Sequence, residues 1–354
     1  MSPRSPPRAV VADDSHFMRS VISDILEDGG VDVVATARNG REAVEAVLEH
    51  RPDVVTMDVE MPEMNGIEAV ERIMTEAPTP ILMLSAHTDE NADVTFKALE
   101  KGAIDFFTKP GGEVSMEMSR LKDQLVDMVL SVAEADPTGR TKAPSRTPET
   151  EPIDDPRQYV DNPTLVIGSS TGGPTVVEQI LSELPVEAKF RILVVQHMPD
   201  DFTDRFARRL DGRTGYSVRE ASDGDRITGG EALVAAGGYH MVVSNYTHGR
   251  LRVSLTEDPP INSVRPSVDA TMESAAEQID DPLLGVILTG MGEDGAVGIS
   301  AIKAAGGTTF AQNEASSAVY GMPKRAVETG QVDTVCSLES ISAEVLEAVK
   351  QEVH

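Results

Sequence analysis

The sequence predicts an α/β protein built from two doubly wound parallel-sheet domains. Three observations point there. Short runs that are apolar at nearly every position, such as Val54-Val55-Thr56-Met57 and Leu193-Val194-Val195, read as strands buried on both faces. Amphipathic helical stretches alternate with such runs in two blocks, residues 8–132 and 161–354. Between the blocks the periodicity disappears.

In the first block the strand-like runs are Ala9-Val10-Val11-Ala12, Val31-Asp32-Val33-Val34-Ala35, Val54 to Met57, Ile81-Leu82-Met83-Leu84 and Asp105-Phe106-Phe107. Helical spacing separates them, as in Ala43-Val44-Ala46-Val47 and Val94-Ala98-Leu99. Residues 133–160 are rich in Pro, Thr and charge and read as a solvated, mostly disordered linker. In the second block Leu165-Val166-Ile167, Ile192 to Val195 and Gly285-Val286-Ile287 are buried-type strands. Ala232 to Ala235, Met241 to Ser244 and Arg250 to Val253, separated by Gly-containing turns, suggest an antiparallel hairpin on a mostly parallel sheet. Ser342 is a candidate N-cap for a last helix. The expected division is 1–132, a linker at 133–160, and 161–354.

Composition narrows the function classes. The 354 residues carry a net charge of −28, which argues against nucleic-acid or anionic-membrane binding. With Lys scarce beside Arg and the acids, that charge suggests adaptation to a high-salt cytoplasm. The one Cys, Cys336, excludes an intramolecular disulfide and a multi-Cys metal site, and reads as a small buried apolar residue. Met1 to Arg8 has no apolar h-region, so no signal peptide is expected. No apolar stretch is long enough to span a bilayer. A cytoplasmic protein, monomeric by default, is expected.

In a doubly wound sheet, side chains at the C-terminal strand ends share one crevice. In the first block those ends carry Asp13-Asp14, Asp58, Ser85-Ala86 and Lys109-Pro110. Converging carboxylates suit Mg²⁺, and a nearby Lys can neutralise a phosphoryl group that Asp58 accepts. Ser85 is placed to bond the new phosphate. The plainer alternative is helix capping, which would suit Asp14 ahead of Ser15-His16.

With Asp13-Asp14, Met57-Asp58-Val59-Glu60-Met61-Pro62, Ser85-Ala86 and Lys109-Pro110, residues 8–130 resemble the receiver domain of two-component response regulators. The resemblance implies a flavodoxin-like fold and phosphorylation of Asp58 by a histidine kinase. It also implies Mg²⁺ held by Asp14, Asp58 and the backbone carbonyl of Glu60, with Asp13 in the same acidic set. Phe106 falls at the family's aromatic switch position.

The second block carries Gly168-Ser169-Ser170-Thr171-Gly172-Gly173 after a strand, Gln196-His197-Met198-Pro199 after another, and Leu288-Thr289-Gly290-Met291-Gly292-Glu293-Asp294-Gly295 after a third. Ser, His and Asp at three strand ends are what nucleophilic acyl chemistry requires. Ser170 sits mid-pattern in Gly-x-Ser-x-Gly at a strand-to-helix turn. The G-x-G-x-x-G spacing of a dinucleotide loop fails. His240 rivals His197, and Asp269 rivals Asp294, whose plainer role is to cap a helix. The order Ser, His, Asp differs from that of α/β-hydrolases.

With Arg265-Pro266-Ser267-Val268-Asp269 added, the whole chain resembles the chemotaxis protein-glutamate methylesterases, from whose pattern Ser169 and the acidic, halophile-like surface depart. The resemblance implies a Rossmann-like catalytic domain with Ser170 as nucleophile, His197 as base and Asp294 as its orienter. Thr171 and Met291 would flank the nucleophile, with a Met291 N–H in the oxyanion hole. The implied substrate is a γ-glutamyl methyl ester on chemoreceptors, the implied setting the chemoreceptor array, and no metal is needed for ester hydrolysis. Glutamine deamidation by the same site is expected as well. The contrasting reading is a phosphorylation-driven binding module without turnover.

Overall fold

The computed structural model describes residues 5–85, 91–109, 117–135, 137 and 159–351. Ala86, Pro110 and most of the expected linker lie outside them. The chain divides into two compact units, Met1–Ala143 and Pro144–His354. No helix among the described residues is long and apolar enough to cross a membrane.

The first unit is a five-stranded sheet with order β2-β1-β3-β4-β5, all pairs parallel. Its strands are β1 (Arg8–Ala12), β2 (Asp32–Ala37), β3 (Val54–Asp58), β4 (Ile81–Ser85) and β5 (Asp105–Thr108). The helices are α1 (His16–Asp28), α2 (Gly40–His50), α3 (Gly66–Glu76), α4 (Asn91–Glu100) and α5 (Glu117–Ala133). β3 and β4 are buried at every residue, as strands sandwiched between helix layers must be. Asn65 and Glu68 form a reciprocal capping box that starts α3, and Ala69, Val70 and Ile73 form its buried stripe. The strand order reverses at β1 and β3, so their C-terminal ends open the crevice.

The second unit has a seven-stranded parallel sheet, β15-β14-β13-β6-β7-β10-β8. Its strands are β6 (Thr164–Ser169), β7 (Arg191–Gln196), β8 (Ser217–Glu220), β10 (Glu231–Val234), β13 (Leu283–Ile287), β14 (Thr308–Gln312) and β15 (Thr334–Cys336). A separate three-stranded antiparallel sheet joins β9 (Arg226–Ile227), β11 (His240–Thr247) and β12 (Arg250–Thr256) in the order β11-β12-β9. The run Ala232 to Ala235, grouped above with the hairpin, is thus mostly β10, a strand of the parallel sheet between β7 and β8. Helices α6 (Gly173–Glu183), α7 (Asp200–Asp211), α8 (Val268–Gln278), α9 (Ala296–Ala304), α10 (Met322–Glu328) and α11 (Leu338–Glu347) complete the unit.

The core between the two sheets contains Leu193, Val195, Met241, Leu251, Val253, Met272 and Ile287. α8 is their common neighbour and packs on both β11 and α9. Cys336 is a buried free thiol, pushed up to about 11 by burial. Ser342 does not begin the last helix. α11 starts earlier, with Ser337 at its N-cap, and the Ser342 hydroxyl donates to Glu183 Oε2 at 2.7 Å.

Candidate functional site

In the first unit β1 and β3 deliver Asp13 and Asp58 side by side, and β5 ends at Lys109. Lys109 Nζ lies 2.6 Å from Asp13 Oδ2 and 2.8 Å from Asp58 Oδ1. Burial pushes the Asp58 carboxyl above its ordinary value, against the pull of the Lys109 ammonium. Oxygens of Asp13, Asp14 and Asp58 all lie within 4.8 Å of one another. Three hard carboxylates with one exposed member fit a cation that keeps several waters, as Mg²⁺ does. Asp14 does not cap α1; Ser15 does, accepting from the Met18 N–H at 3.4 Å.

The rest of the expected set lies on the loop after β3 and on β4 and β5. Glu60 lies two residues past Asp58 with an exposed side chain. Ser85 is buried at the end of β4 and its hydroxyl accepts from Thr95 Oγ1 at 3.0 Å. Phe106 is buried on β5 and meets Phe96 edge-on, with centroids 6.2 Å apart. Gly66 seats the loop against β3: a Cβ there would lie 2.0 Å from the Asp58 carbonyl oxygen.

In the second unit the sheet switches direction at β6, so the ends of β6, β7 and β13 share the crevice. Ser169 pairs with Gln196, and the His197 N–H donates to the Ser169 carbonyl at 3.0 Å. Ser170 and His197 therefore leave adjacent strands at the same level. Ser170 N donates to the Thr289 carbonyl at 3.0 Å, which ties the turn to the loop after β13. Gly172, with φ of 76°, and Gly173 turn the chain into α6.

His197 Nε2 lies 2.8 Å from Asp294 Oδ2. Asp294 is 2% exposed. Burial by itself would raise its carboxyl, but the His197 ring, the Ser267 hydroxyl and the Val268 N–H hold it below the ordinary carboxylate value. An ionised carboxylate only accepts, so Nε2 donates its proton to Asp294 and Nδ1 is the ring nitrogen that Asp294 leaves unengaged.

The two rivals have other work. His240 is 1% exposed; its Nδ1 accepts from the Ser267 N–H at 3.2 Å and its Nε2 faces the Pro259 carbonyl at 3.2 Å. It pins the chain entering α8. Asp269 Oδ1 accepts from the Gly295 and Gly298 N–H groups at 2.8 and 2.7 Å, at the start of α9. Asp294 in turn accepts from the Val268 and Asp269 N–H groups at 2.6 and 3.2 Å, at the start of α8. Each carboxylate thus sits on the N-terminus of the other's helix, and Asp294 does not cap its own. Burial and the Asp294 charge raise the Asp269 carboxyl, against the Gly298 and Gly295 N–H groups.

Sequence reasoning passed over the residues that lock this crevice. Gln196 accepts from Ser169 Oγ at 2.6 Å and donates to the Ser170 and His197 carbonyls at 2.8 and 3.0 Å. Ser267 Oγ donates to Asp294 Oδ1 at 2.7 Å. Asn262 Nδ2 donates to Asp269 Oδ2 at 3.0 Å. Buried Thr171 receives the Thr289 hydroxyl on its carbonyl at 2.9 Å. Half-buried Met291 follows Gly290, where a Cβ would come within 2.7 Å of Ser170 Cβ.

Residues 165–345 match the family model of the CheB methylesterase, and residues 9–119 that of the response regulator receiver domain. A protein-glutamate methylesterase/protein-glutamine glutaminase of Haloarcula marismortui is 66% identical, over 98% of this chain and 98% of its own. One of the same name from Halobacterium salinarum is 58% identical, over 97% of this chain and 99% of its own. The crystal structure of the Thermotoga maritima CheB methylesterase catalytic domain shares 39% identity with a TM-score of 0.51, covering 54% of this chain and all of that one.

Proposed function

The chain belongs to the CheB methylesterase family, with a receiver domain ahead of the esterase domain, and on that premise we propose that it hydrolyses glutamate methyl esters on chemoreceptors through Ser170, His197 and Asp294. The observation that carries this reading is the 2.8 Å bond between His197 and a buried Asp294, at a strand end level with Ser170.

His197 Nδ1 takes the Ser170 proton as Oγ adds to the ester carbonyl. The tetrahedral oxyanion is held by backbone N–H groups beside Thr171 and Met291. The imidazolium, steadied by Asp294, then protonates methoxide, and methanol departs. Water, deprotonated by the same imidazole, hydrolyses the acyl-serine and restores the glutamate. A glutamine side chain would follow the same course with ammonia as leaving group. Each turnover exposes one new carboxylate on the receptor, which is the change that sensory adaptation requires.

The receiver supplies control. Asp13, Asp14 and Asp58, with the Glu60 carbonyl, would hold Mg²⁺. The metal's contribution is to offset charge on the incoming phosphoryl group. Asp58 accepts that group from a histidine kinase, Lys109 pairs with its oxygens, and Ser85 and Phe106 register its arrival. Activity follows from a shift between restricted and open populations of the two units. The protein acts in the cytoplasm, at chemoreceptor arrays.

Product identity tests the chemical reading. Receptor membranes carrying methylated glutamates should release methanol, and membranes carrying glutamines in their place should release ammonia. Ammonia without methanol would make the chain a deamidase. Neither product from folded protein would make it a binding module.

A further inference from the structure

One face of the antiparallel sheet is exposed and basic. Along β12, Leu251 and Val253 point into the core, so Arg250 and Arg252 stand on the outer side. Arg226 of β9 is the direct cross-strand partner of Arg252, and Asn245 of β11 is its partner on the other flank. These three make one rung; Arg250 and Thr247 make the next. With His248 they line a groove of about 540 Å³.

This face is out of keeping with the rest of the molecule. The chain has 59 Asp and Glu against 31 Lys and Arg. Nearby Arg219 pairs with Glu231 at 3.2 Å and Asp225 at 3.5 Å. Among the described residues, Arg226, Arg250 and Arg252 form no ion pair with any carboxylate. Arg226 opposite Arg252 is a like-charge cross-strand pair, an arrangement that costs stability until an anion lies between them. The platform is braced from behind, where the Arg191 guanidinium stacks 4.7 Å from the Tyr246 ring of β11.

We propose that this face docks an acidic helical segment of the substrate protein, apart from the hydrolytic crevice; the substrate's identity rests on the function proposed above. The rungs are two residues apart along a strand, roughly 7 Å. Carboxylates at i and i+4 on a helix are separated by about 6 Å, so one turn of an acidic helix meets both rungs. Each guanidinium can then donate in a bidentate pair. A single phosphate spans one rung only. Along β11 the face begins several residues beyond His240, whose ring bonds Ser267 beside Asp294. The separation is roughly 20 Å, which a helix covers in about 14 residues. Because each hydrolysed ester leaves a carboxylate, the face holds a receptor helix more tightly as its esters are removed.

The test uses the full chain, a labelled helical peptide with Glu at i and i+4, its Gln counterpart, and the double variant Arg226→Gln/Arg252→Gln. The Glu peptide should bind, more weakly as KCl rises. Affinity should fall about tenfold or more in the double variant and for the Gln peptide. On methylated receptor membranes the double variant should raise KM about tenfold and keep kcat, while a small soluble ester turns over as in the wild type. The double variant should melt no lower than the wild type, since a repulsive pair is removed. Equal binding of the two peptides, an unchanged KM, or a lowered melting temperature overturns the docking site and leaves the esterase intact. Full displacement of the Glu peptide by stoichiometric pyrophosphate overturns it in favour of a small phosphorylated ligand. If the wild type releases no methanol from the membranes, the functional reading fails separately, and the peptide comparison still decides whether the face binds acidic helices.

Discussion

His197 has two ring nitrogens, and Asp294 Oδ2 lies 2.8 Å from Nε2, so the proposed proton transfer with Ser170 falls to Nδ1. Asp294→Asn would put a neutral amide against Nε2 and free the ring to adopt the other tautomer. The expected result is a kcat roughly 10³–10⁴-fold lower with KM little changed, read from steady-state methanol release. The same carboxylate sets a pH dependence. Its native pKa is depressed below the ordinary value of 3.8, so its contribution to stability is complete above about pH 4 and is lost as pH falls through the native value. Asp294→Asn should therefore flatten the acid limb of a melting-temperature profile below pH 4 relative to wild type. An unchanged acid limb would contradict the depressed value. Ser170, His197 and Asp294 were readable as candidates in the sequence because the first two directly follow β6 and β7 and the third lies in the loop after β13. Gln196, Ser267 and Asn262 were not, because their importance lies in hydrogen bonds to chain segments that only the fold brings near.

α8 and α9 are joined by an exchange of carboxylates: Asp269 caps α9 and Asp294 caps α8. Asp269→Ala would leave the Gly295 and Gly298 N–H groups buried without an acceptor, at a cost of about 1–3 kcal/mol. Because those groups open the helix next to Asp294, the variant should also lower kcat. Denaturant titration and turnover measured on the same preparation check both; loss of stability with full activity would separate the caps from the chemistry. Helix and strand types followed from periodicity, since buried parallel strands and amphipathic helices leave different patterns. Two placements did not. Ala232 to Ala235 reads the same whether it joins a parallel strand or a hairpin, because a short apolar run records burial and not the partner. Ser337 and Ser342 both precede apolar residues, and only the helix start distinguishes the cap. The reciprocal caps join residues about 25 positions apart, beyond the reach of a local signal.

At the scale of the whole molecule, charge and domain control carry the remaining expectations. A net charge of −28 repels itself at low ionic strength, and the Debye length shortens from about 10 Å at 0.1 M to about 3 Å at 1 M salt. The melting temperature should rise with KCl toward molar concentrations, which suits a chain 66% and 58% identical to relatives from the halophilic archaea Haloarcula marismortui and Halobacterium salinarum. A flat response would remove the high-salt interpretation. Two compact units, each with its own crevice, were foreseeable from two blocks of βα alternation. Asp58→Asn should abolish activation by a phosphodonor and leave basal hydrolysis intact. Residues 161–354 expressed alone should be at least as active as the unphosphorylated full chain.

The most direct measurement is methanol release from methylated receptor membranes in molar KCl. Wild type and Ser170→Ala are compared, each with and without a small-molecule phosphodonor and Mg²⁺. Release should fall by about four orders of magnitude or more without Ser170 and rise with the donor only when Ser170 is present. Release that persists in Ser170→Ala, or that ignores the donor in the wild type, would contradict a serine esterase under receiver control.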